Sequence, residues 1–420
     1  MMIATLRNRN FSLLWTAGLI SLIGNWMLIA ALPFYIYEVT GSALATSGWL
    51  IAYILPGILF GSVAGVFVDR WDRRKTMMGV SLLQAAVIPL LLLVQSPEMI
   101  WIVYVVGFIE STLSYFFMPA ESALLPTLVG EEHLLSANSL NSLNDNLARI
   151  TGPAIGGVLL GLFGLNSVIL ADAVSYVLAG LLISLILVPT GVKTAAAQEV
   201  AQTAKAKFMQ VWQELAAGLK VIKHSRILAG AFIVVGIALF GDAIMSAVMV
   251  VFAQEVMELG ADEFGWILAA RGMGGLLGGL LVAQLGQRFS TTQLVAGGLI
   301  LSGFIVLIIV NIPTMYVAIP LMIVAGIPLI AWIVSLQTIF QQATTDEYRG
   351  RVFGAFGTVS ALLMAVGAMM AGGITDVVGS AILMSVASLI YVFSGLLGWV
   401  LLRKPVEQLD LMVTKAEASS

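Results

Sequence analysis

Six ionisable residues interrupt otherwise apolar runs of this sequence: Glu110, Asp145, Arg149, Asp172, Asp242 and Arg271. A charged side chain at the centre of a bilayer costs at least ~2.5–3.5 kcal/mol, so each needs a partner or a task. Carboxylates beside arginines in such a place suit one chemistry, the exchange of a proton. Burial favours the neutral carboxyl and a neighbouring cation favours the ionised one, so making and breaking a pair moves a proton. Glu110 lies nine residues from Pro119 and Arg149 nine from Leu140, which places both ~13 Å from the same ends of their helices at 1.5 Å per residue. A Glu110–Arg149 pair is therefore expected, with Asp145 one turn from Arg149 able to share it. Asp242 and Arg271 are expected to pair in the same way, and Asp172 lies nearer the opposite face. Glu110 is the first candidate for the proton-carrying group, then Asp145, then Asp242. The competing expectation is that these pairs only neutralise polar groups between helices.

Other chemistries fall away by composition. The chain has no Cys and two His, His133 and His224, far apart in sequence, so no metal site, thiolate or His-based triad is expected. No Gly-x-x-x-x-Gly-Lys-Ser/Thr loop is present to cradle a nucleotide. Arg271-Gly-Met-Gly-Gly-Leu-Leu-Gly-Gly is glycine-rich, but it lies inside an apolar run and reads as helix packing. A net charge of -3 offers no basic face for nucleic acid. A membrane-embedded lipid-modifying enzyme shares this composition, yet it needs clustered nucleophiles that are missing here. No cofactor is expected.

The elements that position these groups are membrane helices. Of 420 residues 60% are hydrophobic and only 10% charged, against ~25% in a soluble domain. Twelve stretches approach the ~20 apolar residues a spanning helix needs. They run roughly over 11–36, 43–67, 76–95, 99–119, 140–163, 167–189, 227–252, 264–285, 293–311, 314–338, 352–375 and 380–402. The expected fold is thus an all-α integral membrane protein with 12 transmembrane helices in two pseudo-symmetric six-helix lobes. The expected domains are 1–189, a linker 190–225, a second lobe 226–402 and a tail 403–420. Within the linker, Phe208, Val211, Trp212, Leu215 and Leu219 fall on one face of an amphipathic surface helix. The first apolar stretch carries Asn25 and no convincing cleavage site, so it is expected to be a retained helix.

Sidedness follows from the cations. Of 20 Lys and Arg, all but Arg149 and Arg271 fall on one side of this arrangement. The opposite loops carry Glu38, Glu98, Glu255, Glu258, Asp262, Glu263 and Asp376. Positive charge stays inside, so both termini and the linker are expected in the cytoplasm of a cell-membrane protein.

The halves echo each other. Sliding the chain by 214 residues lays Gly61, Gly65 and Arg74 on Gly275, Gly279 and Arg288, with Ala283 where Asp69 stands. The loop Pro126 to Asn138 then falls on Phe340 to Val352. Two related lobes with a cavity between them suit alternating access better than a fixed pore. Mid-span residues of the first, fourth, seventh and tenth helices are expected to line the cavity: Asn25, Trp26, Tyr115, Phe240, Met245, Met249 and Trp332. Aromatic rings and flexible, polarizable Met suit bulky amphipathic compounds.

Two local patterns stand out. The loop after the second stretch reads Gly65-Val-Phe-Val-Asp69-Arg70-Trp71-Asp72-Arg73-Arg74-Lys75. Gly57, Gly61 and Gly65, four apart, allow a close helix crossing, and Asp69 with Arg70, Arg73 and Arg74 can form a switchable charge cluster. The fifth stretch holds Gly152-Pro153-Ala-Ile-Gly156-Gly157, in which the Gly-Pro pair bends the helix and the paired glycines thin it.

The first of these patterns resembles the conserved loop of major facilitator transporters, with Asp72 in place of the usual second glycine. The second resembles the antiporter motif of that superfamily. Leu55-Pro56, Phe60-Gly61, Val68 to Lys75, Pro119-Ala120, Pro126, Ala137-Asn138, Asn166 to Asp172 and Tyr348 to Phe353 together resemble the macrolide-efflux-type group. More loosely, the chain is similar to siderophore exporters and lysophospholipid transporters of the same layout. What the resemblance implies is proton-driven export of a small amphipathic molecule, with protons and membrane lipid as the other partners and a monomer as the working unit.

Overall fold

The computed structural model describes residues 5–60, 64–68, 71–187, 218, 220–344 and 346–403. Among these the chain is all-α, with twelve main helices. They are α1 (Arg9–Thr40), α2 (Ala43–Phe60), α3 (Arg73–Val87), α4 (Trp101–Val129), α5 (Leu134–Phe163), α6 (Leu165–Ser184), α7 (Arg226–Glu255), α8 (Ala261–Arg288), α9 (Thr291–Asn311), α10 (Met315–Gln342), α11 (Asp346–Val378) and α12 (Ser380–Leu401). Eleven helical runs are long and apolar enough to cross a membrane. The remaining stretch, the second, has its apolar helix at Ala43–Gly57, and a short helical segment Ala64–Val68 follows it. The linker helix around Trp212, and Asp69 and Arg70 of the charged loop, lie outside the described residues.

Local chemistry sets the ends. Asn8 caps α1, its side chain accepting from the backbone of Asn10 and Phe11. Gly41 ends the same helix at φ 59°, in the left-handed region that glycine enters without a steric penalty. Ser290 and Gln293 form a reciprocal capping box at the start of α9. The third stretch does not stay α-helical: it passes into a 3₁₀ segment, Ile88–Leu93. Pro89 lacks the N–H that the α pattern needs at that point.

The described chain divides into two compact units, one of Met1–Phe208 with Leu259–Ala269, the other of Met209–Glu258 with Ala270–Ser420. In the first, α1 packs on α5 and α6, α3 on α4 and α6, and α2 on α4. In the second, α7 packs on α11 and α12, and α9 on α10 and α12. Adding six to each helix number converts the first four of the first unit's five pairings into those of the second unit. The repeat in the sequence is thus a repeat in packing.

Each unit has its own apolar core. The first centres on Phe11, Leu14, Met77, Leu124, Leu140 and Ile183. The second is built around Phe340, with Phe232, Phe353 and Phe356 at 5.2–6.0 Å between ring centroids. Polar side chains fasten helix to helix across these cores. Trp15 Nε1 donates to the Leu140 carbonyl at 2.9 Å, and Asn144 Nδ2 returns a bond to the Trp15 carbonyl at 2.8 Å. Ser394 Oγ donates to the Val234 carbonyl at 2.6 Å in the other unit.

Glycines set the closest crossings. A Cβ at Gly326 of α10 would overlap the backbone of Gly274 and Gly275, and one at Gly274 would overlap the Ile323 carbonyl. The glycine-rich run of α8 is therefore a packing face. Gly279, on the same helix, faces open space. Gly326→Val is expected to destabilise the protein by several kcal/mol, beyond the ~1–3 kcal/mol of ordinary overpacking, because backbone rather than a side chain must yield. Gly279→Val is expected to stay within about 0.5 kcal/mol. Thermal unfolding of both variants in detergent measures the contrast, and equal losses would show that the crossing is not tight.

Candidate functional site

Glu110 is enclosed, with 1% of its surface exposed, on the face of α4 that meets α3 and α6. Tyr176 Oη of α6 donates to Glu110 Oε1 at 3.3 Å. Gln84 Nε2 of α3 donates to Tyr176 Oη at 3.2 Å, to Ser114 Oγ at 3.2 Å and to the Glu110 carbonyl at 3.5 Å. The carboxyl therefore takes its bond from one neutral group, Tyr176, which Gln84 of a third helix holds in turn.

Asp172 of α6 is completely buried in the same unit. Its Oδ1 accepts from Ser175 Oγ at 3.3 Å, while no protein donor reaches Oδ2. It lies within electrostatic reach of Glu110. Gly24 of α1 seats directly on this acid, since a methyl group there would overlap the Asp172 carboxylate and the Ser175 hydroxyl. One residue on, Asn25 lies beside the Tyr53 hydroxyl of α2, and its Oδ1 is enclosed without a donor.

Arg149 does not pair with Glu110. Among the described residues no ion pair joins them, and the Arg149 guanidinium lies 5.3 Å from the centroid of the Trp26 ring. Equal depth was the basis for expecting that pair, and depth says nothing of direction around the helix axis. Arg149 points to α1, whereas Glu110 points to α3 and α6. Asp145, four residues before Arg149 on α5, stays within electrostatic reach of it. Glu121, which the sequence reading passed over, stands near Asp145 and accepts from Asn141 Nδ2 at 3.1 Å.

In the second unit Asp242 and Arg271 do meet. Arg271 Nη2 is 3.8 Å from Asp242 Oδ1, with both side chains partly exposed. Tyr391 of α12 donates to the same Oδ1 at 2.9 Å.

The remaining expected residues scatter. Gly152 and Gly156 of α5 pack on Trp26 and Met27 of α1, and Gly157 meets Ala261 and Gly265 at the start of α8. Pro153 lies inside α5 beside them. Arg73 Nη1 donates to the Ala123 carbonyl at 2.8 Å. Arg74 donates to the carbonyls of Ile183 and Ser184, where it caps the end of α6. Asp72, the departure from the loop pattern, caps α3 by accepting from the Lys75 backbone at 2.9 Å. Gly65 lies in the segment Ala64–Val68. Of the expected cavity residues, Tyr115 fills the space left by Gly57, and Phe240 lies against Gly367. Met245 packs on the second core, while Met249 and Trp332 are buried within the second unit. Gln84, Tyr176 and Tyr391 were missed because a neutral polar residue in an apolar stretch leaves no charge to notice.

Comparison with known proteins settles the class. The family described as transmembrane secretion effector, a group of major facilitator transporters, matches residues 1–418. The chain belongs to that family. It is 27% identical over 376 residues to macrolide efflux protein A of Streptococcus pyogenes, covering 88% of this chain and 90% of that one. It is 27% identical over 374 residues to the multidrug efflux pump Tap of Mycolicibacterium fortuitum, covering 86% and 88%. In fold it is similar to a bacterial homologue of the iron transporter ferroportin, with TM-score 0.72, 13% identity and coverage of 94% and 99%. It is equally similar to a bacterial homologue of the lysosomal transporter Spinster, with TM-score 0.71, 13% identity and coverage of 94% and 96%. The resemblance drawn from the loop motifs is thus borne out, and the all-α major facilitator fold with it. Membership makes the chain a multi-pass membrane transporter and not a lipid-modifying enzyme.

The Tyr391–Asp242 bond gives a direct test of the second unit. Tyr391→Phe removes a buried hydrogen bond to a charged acceptor, worth ~1.5–3 kcal/mol. The variant is expected to unfold at lower temperature, and a loss under about 0.5 kcal/mol would show that Arg271 alone holds the carboxylate.

Proposed function

We propose that the chain is a secondary active exporter of amphipathic, drug-like molecules, which it exchanges for protons by alternating access. The full-length likeness to proteins named for macrolide and multidrug efflux supports the cargo class. One observation carries the proton side: Glu110 is an acid enclosed in a membrane unit and held by Tyr176 and Gln84, with no ion-pair partner among the described residues. An ionised carboxylate in that position is expensive, and a proton is the smallest group that neutralises it.

In this reading the halves 1–189 and 226–402 rock about a central cavity in the cell membrane, with both termini cytoplasmic. Asn25, Trp26, Tyr115, Phe240 and Met245 are the candidate contacts for an aromatic or aliphatic cargo. Glu110 takes a proton in one orientation and releases it in the other. The Asp242–Arg271 ion pair, and Asp145 within electrostatic reach of Arg149, rearrange with the motion. Gly152, Pro153, Gly156 and Gly157 let α5 lie close to its neighbours, and Asp69, Arg70, Arg73 and Arg74 bias the two orientations from the cytoplasmic side. A single chain and no cofactor suffice.

The test is gradient-driven uptake in inverted vesicles, with ethidium and erythromycin as probes. Wild-type vesicles are expected to accumulate probe when an inward-acid pH gradient is imposed and to lose it on adding an uncoupler. Glu110→Gln is expected to remove at least about nine-tenths of the gradient-driven component, a barrier change of ~1.4 kcal/mol or more. Retention of full, uncoupler-sensitive uptake by Glu110→Gln would overturn the assignment of Glu110.

A further inference from the structure

Asp172 plays no part in the cycle described above, yet it is the most completely enclosed acid of the described chain, at 0% exposure. Among the described residues no cation is found to act on it. The titratable groups that face it are Glu110 of α4, Tyr176 of its own helix and Tyr53 of α2, with Tyr115 of α4 adjoining Tyr53. Ser175 is bonded to its Oδ1, and Gly24 and Asn25 of α1 close the remaining side.

Two oxygens in this enclosure have no donor: Asp172 Oδ2 and Asn25 Oδ1. Leaving an ionised carboxylate oxygen buried and unpaired is costly, and the unpaired amide oxygen adds to that cost. Gly24 touches the Asp172 carboxylate, Asn25 is the next residue of α1, and Tyr53 lies within electrostatic reach of Asp172 and beside Asn25. One hydrogen resolves both. A carboxylic acid at Oδ2 is a donor, and Asn25 Oδ1 is an acceptor in need of one.

We infer that Asp172 is a second proton-binding carboxyl of this unit, held as the neutral acid against α1 with Asn25 as its acceptor, so that Glu110 and Asp172 together carry two protons in this conformation. The consequence for transport rests on the proton-coupled reading above; the protonation itself does not. The α1 helix then links the acid to α2 and α5 in three consecutive residues. Gly24 seats on Asp172, Asn25 lies beside Tyr53, and Trp26 faces Arg149 and Gly152. Loss of the Asp172 proton would leave a bare carboxylate against Gly24 and Asn25, and the α1–α6 contact would open to admit water or a cation. Asp172 is thereby a carrier and Asn25 a positioning residue.

Infrared spectroscopy of the purified full-length protein in lipid, near neutral pH, reads this without any substrate. The protonated-carboxyl C=O band is expected in the wild type, to lose one component in Glu110→Gln, a different one in Asp172→Asn, and both in the double variant. Asn25→Leu keeps the side-chain volume but removes the acceptor. It is expected to move the Asp172 component to higher wavenumber and to leave the Glu110 component in place. A folded Asp172→Asn protein with an unchanged band would overturn the assignment, as would a band indifferent to Asn25→Leu. Loss of the Asp172 component on adding sodium at constant pH would overturn it too, and would make the enclosure a metal-cation site. The vesicle assay addresses transport alone, so failure of Glu110→Gln to impair export would remove proton coupling through Glu110 without altering either band.

Discussion

A carboxyl group shut between membrane helices must find its hydrogen bonds inside the protein, and much of this chain is arranged around that constraint. Glu110 draws Tyr176 and Gln84 toward it, and those two fix how α3, α4 and α6 stand around one another. Asp172 requires α1 to come close enough to cover it, which only a residue without a side chain at position 24 permits. The polar interior is therefore a set of distance constraints between helices. In lipid, where apolar contact between helices gains little over contact with acyl chains, such constraints and close glycine crossings do the holding.

The same constraint explains what could be read from the sequence. The spans, the division into halves and the repeat between them follow from where apolar residues cluster, and these are properties of the chain in one dimension. The glycine pattern of α5 was equally legible, since Gly152, Gly156 and Gly157 do pack as thinned helix surfaces. The Asp242–Arg271 pair was anticipated because two isolated charges in neighbouring helices have few alternatives. Glu110 had several. Its depth matched Arg149, but partner choice depends on rotation about the helix axis, which a hydropathy reading does not supply. The neutral partners it found, Tyr176 and Gln84, are silent in a search for charge. The break at Pro89 was legible in principle, as proline in an otherwise regular apolar stretch removes one backbone donor.

The repeat also shows what the two halves kept and what they changed. Tyr176 lies on the sixth helix of the first unit and Tyr391 on the twelfth helix, and 391 − 176 = 215, one residue from the 214-residue shift that aligns the loop glycines. Both phenols donate to a buried or half-buried carboxylate. In the first unit that carboxylate is on the fourth helix, and in the second it is on the first helix of the repeat. The tyrosine is thus the retained feature and the acid has moved.

That movement separates two electrostatic solutions. In the second unit Arg271 answers Asp242, and the pair keeps partial contact with solvent, so both charges persist with modest desolvation. In the first unit no cation among the described residues pairs with Glu110 or Asp172, and both acids are enclosed. An ion pair held at 3.8 Å and shared with a tyrosine changes partner easily but stores no net charge. A pair of enclosed acids cannot change state without gaining or losing protons. A transporter that couples motion to a gradient needs one element whose charge follows the gradient and another whose contacts follow the motion. On the proton-coupled reading proposed above, the carboxylate placed differently around a matching tyrosine in each half provides a candidate for each.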